Sequence, residues 1–308
     1  MTSPADPDPR SSADALAAAL RGASYLPAPR VALGLWLALQ LERPLLLEGP
    51  AGVGKTDLAR AAATALGRSL LRLQCYEGLD ESRALYEWDY GRQLLAAQLL
   101  RDGLASSMQG KSLTEASSQL PDAEGLFFSE RFLIERPLLR AIRSEAPVVL
   151  LIDEVDRADP EFEAFLLEIL GEFQVTLPEL GTLRARHRPL VLLTTNGTRE
   201  MTDALRRRCL HLFLDYPEPS RELAIVKLRA PGIEDALAAQ LVSFVERLRA
   251  LDLRKAPSLS ESIDWARALL VLGASTIGND LARDTLGVLL KHEEDRRLVD
   301  SRMADLLR

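Results

Sequence analysis

Short apolar runs, each closed by a polar or glycine-rich break, set the rhythm of the first two thirds of the chain. Residues 44–48 (PLLLE) lead straight into 49–54 (GPAGVG), and 55–66 follows with a run of alanines that reads as a helix. An apolar run without polar alternation is what a strand buried on both faces requires. Residues 69–74 and 147–152 (PVVLLI) read as two more strands, the second stopping at Asp153 and Glu154 before a helix over 160–171. A buried strand over 190–194 leads to Thr195, Asn196 and Gly197, and 209–214 reads as another. Residues 173–177 and 181–187 flank Pro178, Glu179 and Leu180 and predict a hairpin. Helices are expected over 13–20, 29–41 and 137–144. The alternation predicts an α/β fold: a parallel sheet sandwiched by helices.

Beyond Pro217, Glu218 and Pro219 the pattern is helical only, at about 221–229, 233–250, 260–272 and 279–290. The expected layout is a disordered tail over 1–14, an α/β domain over 15–216 and a small all-helical domain over 217–308. Residues 76–129 are less regular, and the Gly, Ser and Gln between 102 and 125 predict an insertion with exposed loops.

Composition narrows the function. The 308 residues carry 38 Lys and Arg against 45 Asp and Glu, a net charge of −7, with 47% hydrophobic residues, the profile of a soluble globular protein. A negative total disfavours a general polyanion binder, so nucleic acid is not the expected partner. The N-terminal stretch lacks the basic and apolar regions of a secretory signal. The most apolar segment, 31–41, has 11 residues and is too short to span a bilayer. A cytoplasmic protein without membrane insertion is expected. Cys75 and Cys209 are far apart and read as reduced, buried thiols. His187, His211 and His292 are scattered without metal-ligand spacing.

The chemistry lies in Gly49, Pro50, Ala51, Gly52, Val53, Gly54, Lys55 and Thr56, which fit G-x-x-x-x-G-K-[ST] between a strand and a helix. Glycines let backbone N–H groups converge on phosphate oxygens, and the helix presents its positive end to them. Lys55 is placed to reach the β- and γ-phosphates of ATP, and the Thr56 hydroxyl to ligate Mg²⁺. Asp57 follows in the first turn. Asp153, at the carboxyl end of an apolar strand, suits Mg²⁺ through water, and Glu154 is placed to polarise the attacking water.

These motifs, with Asn196 ending the next strand and Arg206, Arg207 and Arg208 before the last, resemble the AAA+ ATPases. The resemblance implies that Asn196 orients the attacking water. It also implies that arginines ahead of the last core strand reach the ATP of a neighbouring subunit, Arg208 before Arg207, with Arg206 third. The hairpin at 173–187 and the long region between the phosphate motifs are similar to the MoxR group over about residues 20–295. Residues 73–80 (LQCYEGLD), 84–90 (ALYEWDY), 128–133 (FSERFL) and 153–158 (DEVDRA) resemble its CoxD branch. That branch implies a ring of identical subunits, six by family expectation, maturing a client metalloenzyme, a molybdenum hydroxylase of the carbon monoxide dehydrogenase type, with a von Willebrand factor A domain protein. One feature departs from the pattern. The lid arginine expected near Ser260 is missing, and Arg267 is the candidate substitute.

Tyr86, Trp88 and Tyr90 recur at every second position and read as packed aromatics rather than an interaction stripe. Arg184, Arg186, His187 and Arg188 read as an exposed hairpin end. Two other functions use the same phosphate loop: a nucleic-acid-stimulated AAA+ ATPase and a small-molecule kinase. The charge and the 5% aromatic content disfavour the first, the helical tail and the arginines the second.

Overall fold

The computed structural model describes residues 8–107, 129–177 and 181–307. Five apolar runs make one parallel sheet: β1 (Leu45–Glu48), β2 (Ser69–Gln74), β5 (Val148–Asp153), β8 (Leu190–Thr195) and β9 (Leu210–Phe213), in the order β2-β5-β8-β1-β9. Two antiparallel ribbons accompany it. One pairs β3 (Tyr86–Trp88) with β4 (Leu133–Glu135); the other pairs β6 (Gln174–Leu177) with β7 (Gly181–Arg184) and is the expected hairpin. Its turn, 178–180, lies outside the described residues.

Alternate residues of the central strands feed two different cores, as a period of two demands. Leu45, Leu47, Val149, Leu151, Leu190 and Leu192 pack with α1 (Ala13–Gly22), α2 (Pro29–Gln40) and α3 (Lys55–Ala65). Leu46, Leu150, Ile152, Val191 and Leu193 pack with α4 (Glu81–Leu85), α6 (Pro137–Arg143), α7 (Pro160–Glu172) and α8 (Asp203–Arg208). Full burial of each such side chain stabilises by about 1.5–3 kcal/mol. A one-residue slip exchanges the two rows, so the register Leu46↔Leu193 and Ile152↔Leu193 is strongly specified. Because all five strands run the same way, residues 49–54, Asp153 and Asn196 meet at one edge of the sheet, where α/β folds place ligands.

A separate core belongs to the C-terminal helices α9 (Pro219–Arg229), α10 (Asp235–Arg249), α11 (Leu259–Val271), α12 (Asn279–Leu289), α13 (Glu293–Ser301) and α14 (Met303–Leu306). Trp265 and Phe244 lie at its centre, ring centroids 5.2 Å apart, and the Trp265 indole donates to Thr285 Oγ1 at 2.8 Å. The last two helices lie beyond the expected set. α13 (EEDRRLVDS) is mostly charged and is anchored by the buried Val299 and by Asp295, which accepts from the backbone N–H of Arg254 and Lys255 at 2.9 and 3.3 Å.

The expected tail is shorter at its inner end. Ser12 caps α1 by accepting from Ala15 N at 3.1 Å, and Trp36 and Gln40 donate to the Arg10 carbonyl at 3.0 and 2.9 Å. Residues 1–7 lie outside the described set, as do 108–128 of the insertion. Its residues 81–107 are regular, with α4, β3 and α5 (Tyr90–Ser107), and β4 follows just beyond it. Trp88 is buried and stacks edge-on with Tyr86 at 5.7 Å, whereas Tyr90 is 67% exposed. The aromatic alternation therefore divides between packing and surface. The basic cluster at the hairpin is exposed, Arg186 pairing with Glu145 and Arg188 with Glu42.

Candidate active site

The loop between β1 and α3 is shaped by its glycines. Gly49 has φ +151° and Gly52 φ +75°; a Cβ at the first would stand 1.9 Å from the Leu214 carbonyl oxygen, and at the second 2.1 Å from Ser258 Oγ. Gly49→Ala is expected to lose about 1–3 kcal/mol from backbone strain alone, read as a lower urea midpoint. Gly54 precedes α3, whose N-terminus has no side-chain cap. Its first-turn N–H groups are left for an anion in a cavity of about 260 Å³ lined by Gly52, Lys55, Thr56, Asp153, Glu154 and Asn196.

Lys55 is buried, and its Nζ donates to the carbonyls of Gly49 at 2.6 Å and Pro50 at 2.8 Å and to Asn196 Oδ1 at 2.9 Å. Burial pushes its pKa down, while Asp156, Asp153 and Glu154 pull it back up. Thr56 Oγ1 lies 3.2 Å from each oxygen of Asp153. Thr194, at the end of β8, serves both acids: its hydroxyl donates to Asp153 Oδ1 at 2.5 Å and accepts from Glu154 N at 2.8 Å. Glu154 adopts left-handed backbone with φ 56°, which turns its side chain out of the strand run. Its Oε2 accepts from Gln74 Nε2 at 3.0 Å and pairs with Arg157 at 3.1 Å. On the far side of Asp153, Arg72 donates to Oδ2 through Nε at 3.0 Å and Nη2 at 2.6 Å.

The turn after β8 is held by Asp156, whose Oδ2 accepts from the N–H groups of Asn196 at 3.2 Å and Thr198 at 3.0 Å and from the Thr198 hydroxyl at 2.6 Å. Burial raises the Asp156 carboxyl, but these donors win and leave it below the usual carboxylate range. The sign follows: its stabilisation is fully present above its unfolded pKa and is lost as pH falls through the lower folded value. Asp156→Asn is therefore expected to destabilise the protein at pH 7, with the gap in urea midpoint closing below about pH 4.

A second cavity, about 510 Å³, opens beside the phosphate loop and shares Gly54 and Asp57 with it. Tyr25, Val53, Leu214, Tyr216, Leu259 and Ile263 line it, drawn from both the sheet layer and the C-terminal helices. Burial raises the Tyr25 hydroxyl to about 12, so it stays neutral. A slot with apolar walls, lined also by charged residues such as Arg221 and Arg229, beside a cradle of N–H donors suits a planar base carried on phosphates.

A sequence model of the AAA domain, dynein-related subfamily, matches residues 44–209. This chain belongs to that family. It is therefore a nucleotide-binding AAA ATPase, with the parallel-sheet architecture described above. The chain is 26% identical over 263 residues to an uncharacterised protein of Staphylococcus haemolyticus, covering 83% of this chain and 87% of the relative. It is 29% identical to the chaperone ClpB of Corynebacterium glutamicum over 78% of its own length, which is 26% of ClpB. With the gas vesicle ATPase GvpN of Ancylobacter aquaticus it shares 26% identity over 77% of this chain and 63% of GvpN. A RuvB variant of Thermotoga maritima superposes with a TM-score of 0.51 at 20% identity, covering 89% of this chain and 74% of RuvB; at that identity the likeness concerns the fold.

In this AAA ATPase the C-terminal helices touch the phosphate loop directly. Ser260, in the first turn of α11, donates through N and Oγ to the Gly52 carbonyl, both at 3.2 Å. Arg229, ending α9, pairs with Asp57 of α3. Arg267 lines neither cavity: it donates to the Arg229 carbonyl at 3.3 and 3.2 Å and lies 3.8 Å from Asp264. The lid cation that reaches the nucleotide-site helix is Arg229, which meets Asp57 and lines the second cavity, while Arg267 is held at the Arg229 carbonyl.

Arg206, Arg207 and Arg208 are exposed on α8, and their guanidinium groups make no ion pair among the described residues. The Arg208 guanidinium lies back on α7, where a Cβ at Gly171 would stand 2.3 Å from its Nη1. Arg207 is the freer of the two. Neither lines the chain's own phosphate cavity.

The sequence pattern assigns no site role to Thr194, Arg72, Gln74 or Arg229, nor to the side chains of Asp156 and Ser260. A polar residue closing an otherwise apolar strand was the available signal for Thr194; Arg72 and Arg229 become visible only when strand order and lid packing are known. Cys75 and Cys209 are buried free thiols, both raised to about 12 by burial. Among the described residues no cluster of His, Cys, Asp or Glu is suited to a metal ion, and no helix is long and apolar enough to cross a membrane.

Proposed function

We propose that this AAA ATPase is a ring-forming chaperone of the MoxR type, of the CoxD branch, that hydrolyses ATP to remodel a partner metalloenzyme. The observation that carries the hydrolytic part is the convergence of Lys55, Thr56, Asp153, Glu154 and Asn196 on one cavity at an uncapped helix N-terminus. The residues fit ATP with Mg²⁺: N–H donors and Lys55 for the phosphates, Thr56 and Asp153 as oxygen donors for the cation. When bound, Mg²⁺ neutralises phosphate charge. Gly49, Pro50, Ala51, Gly52, Val53 and Gly54 shape the loop, and Asp57 ties its helix to the lid.

In this reading Lys55 turns from the Gly49 and Pro50 carbonyls toward phosphate oxygens. Glu154 accepts the proton of the attacking water, and Asn196, fixed through Asp156, orients that water. Arg207 and Arg208 of a neighbouring copy supply a further cation beside Lys55, which makes turnover depend on assembly. The β6–β7 hairpin ahead of β8, the structured insertion after β2 and the similarity to ClpB and GvpN support the remodelling class.

The test is the ATPase rate of the full chain alone, with a von Willebrand factor A domain partner plus an immature molybdenum hydroxylase, and with DNA or RNA. Stimulation by the protein pair alone is expected. Stimulation by nucleic acid, or transfer of labelled γ-phosphate to a metabolite, would replace this reading with the motor or the kinase.

A further inference from the structure

The insertion builds a surface that the nucleotide site does not use. A groove of about 760 Å³ beside β2 is bounded by Arg72, Gln74, Tyr76, Arg83, Tyr90 and Arg136. Leu73 lines it as well, so three successive residues of β2 reach it. Successive strand residues point to opposite faces, and a groove touching all three follows the strand's edge. β2 is the outermost strand of the main sheet, and among the described residues only β5 pairs with its backbone. A free edge of this kind accepts an extended polypeptide as an added strand.

The lining also selects charge. Three guanidinium groups, those of Arg72, Arg83 and Arg136, face one carboxylate, Glu87, which Arg136 already pairs. Arg83 is 61% exposed and lies 3.8 Å from Asp80, outside normal hydrogen-bond range. Tyr76 and Tyr90 are exposed, and Leu94, Leu95 and Leu99 are exposed apolar residues of α5, the helix that Tyr90 begins. An extended ligand alternating carboxylates with apolar side chains matches both features. A nucleic-acid strand matches the cations but has no amide ladder for the β2 edge.

We propose that this groove binds an extended, acidic segment of a partner protein as an added strand on β2, and that Arg72 links its occupancy to the nucleotide site. One guanidinium has two claims on it. Arg72 lines the groove and holds Asp153 Oδ2 at 3.0 and 2.6 Å. A ligand carboxylate that draws Arg72 into the groove frees Asp153 for the cation. By reciprocity a cation at Asp153 frees Arg72 for the ligand by the same factor. The docking half stands on the groove alone; the linkage rests on the assignment of Asp153 given under Proposed function.

Two binding measurements on the full chain test the halves separately. Without nucleotide, fluorescence anisotropy follows a labelled nonapeptide alternating Glu with Val and Leu. Binding is expected, weakened about tenfold or more in Arg83→Glu and in a peptide with Lys replacing Glu. Equal affinity in either control, no binding, or a preference for a labelled single-stranded oligonucleotide would overturn the docking site. With Mg²⁺ and a fluorescent ADP analogue, saturating peptide is expected to tighten nucleotide binding about fivefold or more. In Arg72→Ala the nucleotide affinity is expected to be high already and indifferent to peptide. A wild-type protein that binds both ligands independently contradicts the linkage. Failure to bind nucleotide at all contradicts the phosphate-loop assignment and leaves the anisotropy result standing.

Discussion

Glu154→Gln is expected to lower ATP turnover about 100- to 10,000-fold while leaving nucleotide affinity within about threefold of wild type. The amide has the shape of the carboxyl group and its oxygen still accepts from Gln74 Nε2, so the cavity keeps its form. What disappears is the only group at that position able to take a proton from water. The lost pair with Arg157 is partly exposed and contributes little to stability. Steady-state turnover and fluorescent-nucleotide titration check the two halves. A variant that hydrolyses at the wild-type rate removes Glu154 from the catalytic role.

Lys55→Ala is expected to weaken nucleotide binding roughly 100-fold or more, from the loss of charge-assisted hydrogen bonds to phosphate. Without nucleotide, Lys55 satisfies the Gly49 and Pro50 carbonyls and holds Asn196, so the ammonium is already at the site rather than recruited to it. Its burial lowers its pKa, and the neighbouring acids oppose that; the cation is kept at the cost of desolvation because three acceptors and three carboxylates surround it. Removing it leaves Asn196 without its partner, so turnover is expected to fall even at saturating nucleotide. Retained affinity in this variant would mean that the uncapped end of α3 suffices for the phosphates.

The sheet was legible because its strands are buried on both faces and read as unbroken apolar runs, with glycine, Asp153-Glu154 and Asn196 marking where each one ends. The phosphate loop was legible because its spacing is local. What the sequence withheld depends on long-range packing. Arg72 meets Asp153 only because β2 lies beside β5 in the sheet, and Arg229 meets Asp57 only because α9 folds back on α3. Arg267 was the natural candidate from position along the helix, but α11 turns it toward the Arg229 carbonyl. α13 carries no apolar run, because its buried residues are one acid, Asp295, satisfied by two backbone donors, and one apolar residue, Val299.

In the proposed ring, hydrolysis is completed across subunits by Arg207 and Arg208, which are exposed, unpaired among the described residues and absent from the chain's own phosphate cavity. The measurement that tests it most directly is specific ATPase activity against protein concentration, with wild type and the Arg207→Ala/Arg208→Ala double variant mixed in varying ratio. Activity per chain is expected to rise with concentration, and the variant to suppress wild type beyond simple dilution in mixed assemblies. A flat rate per chain, with mixtures that merely average, would show that each chain completes its own site.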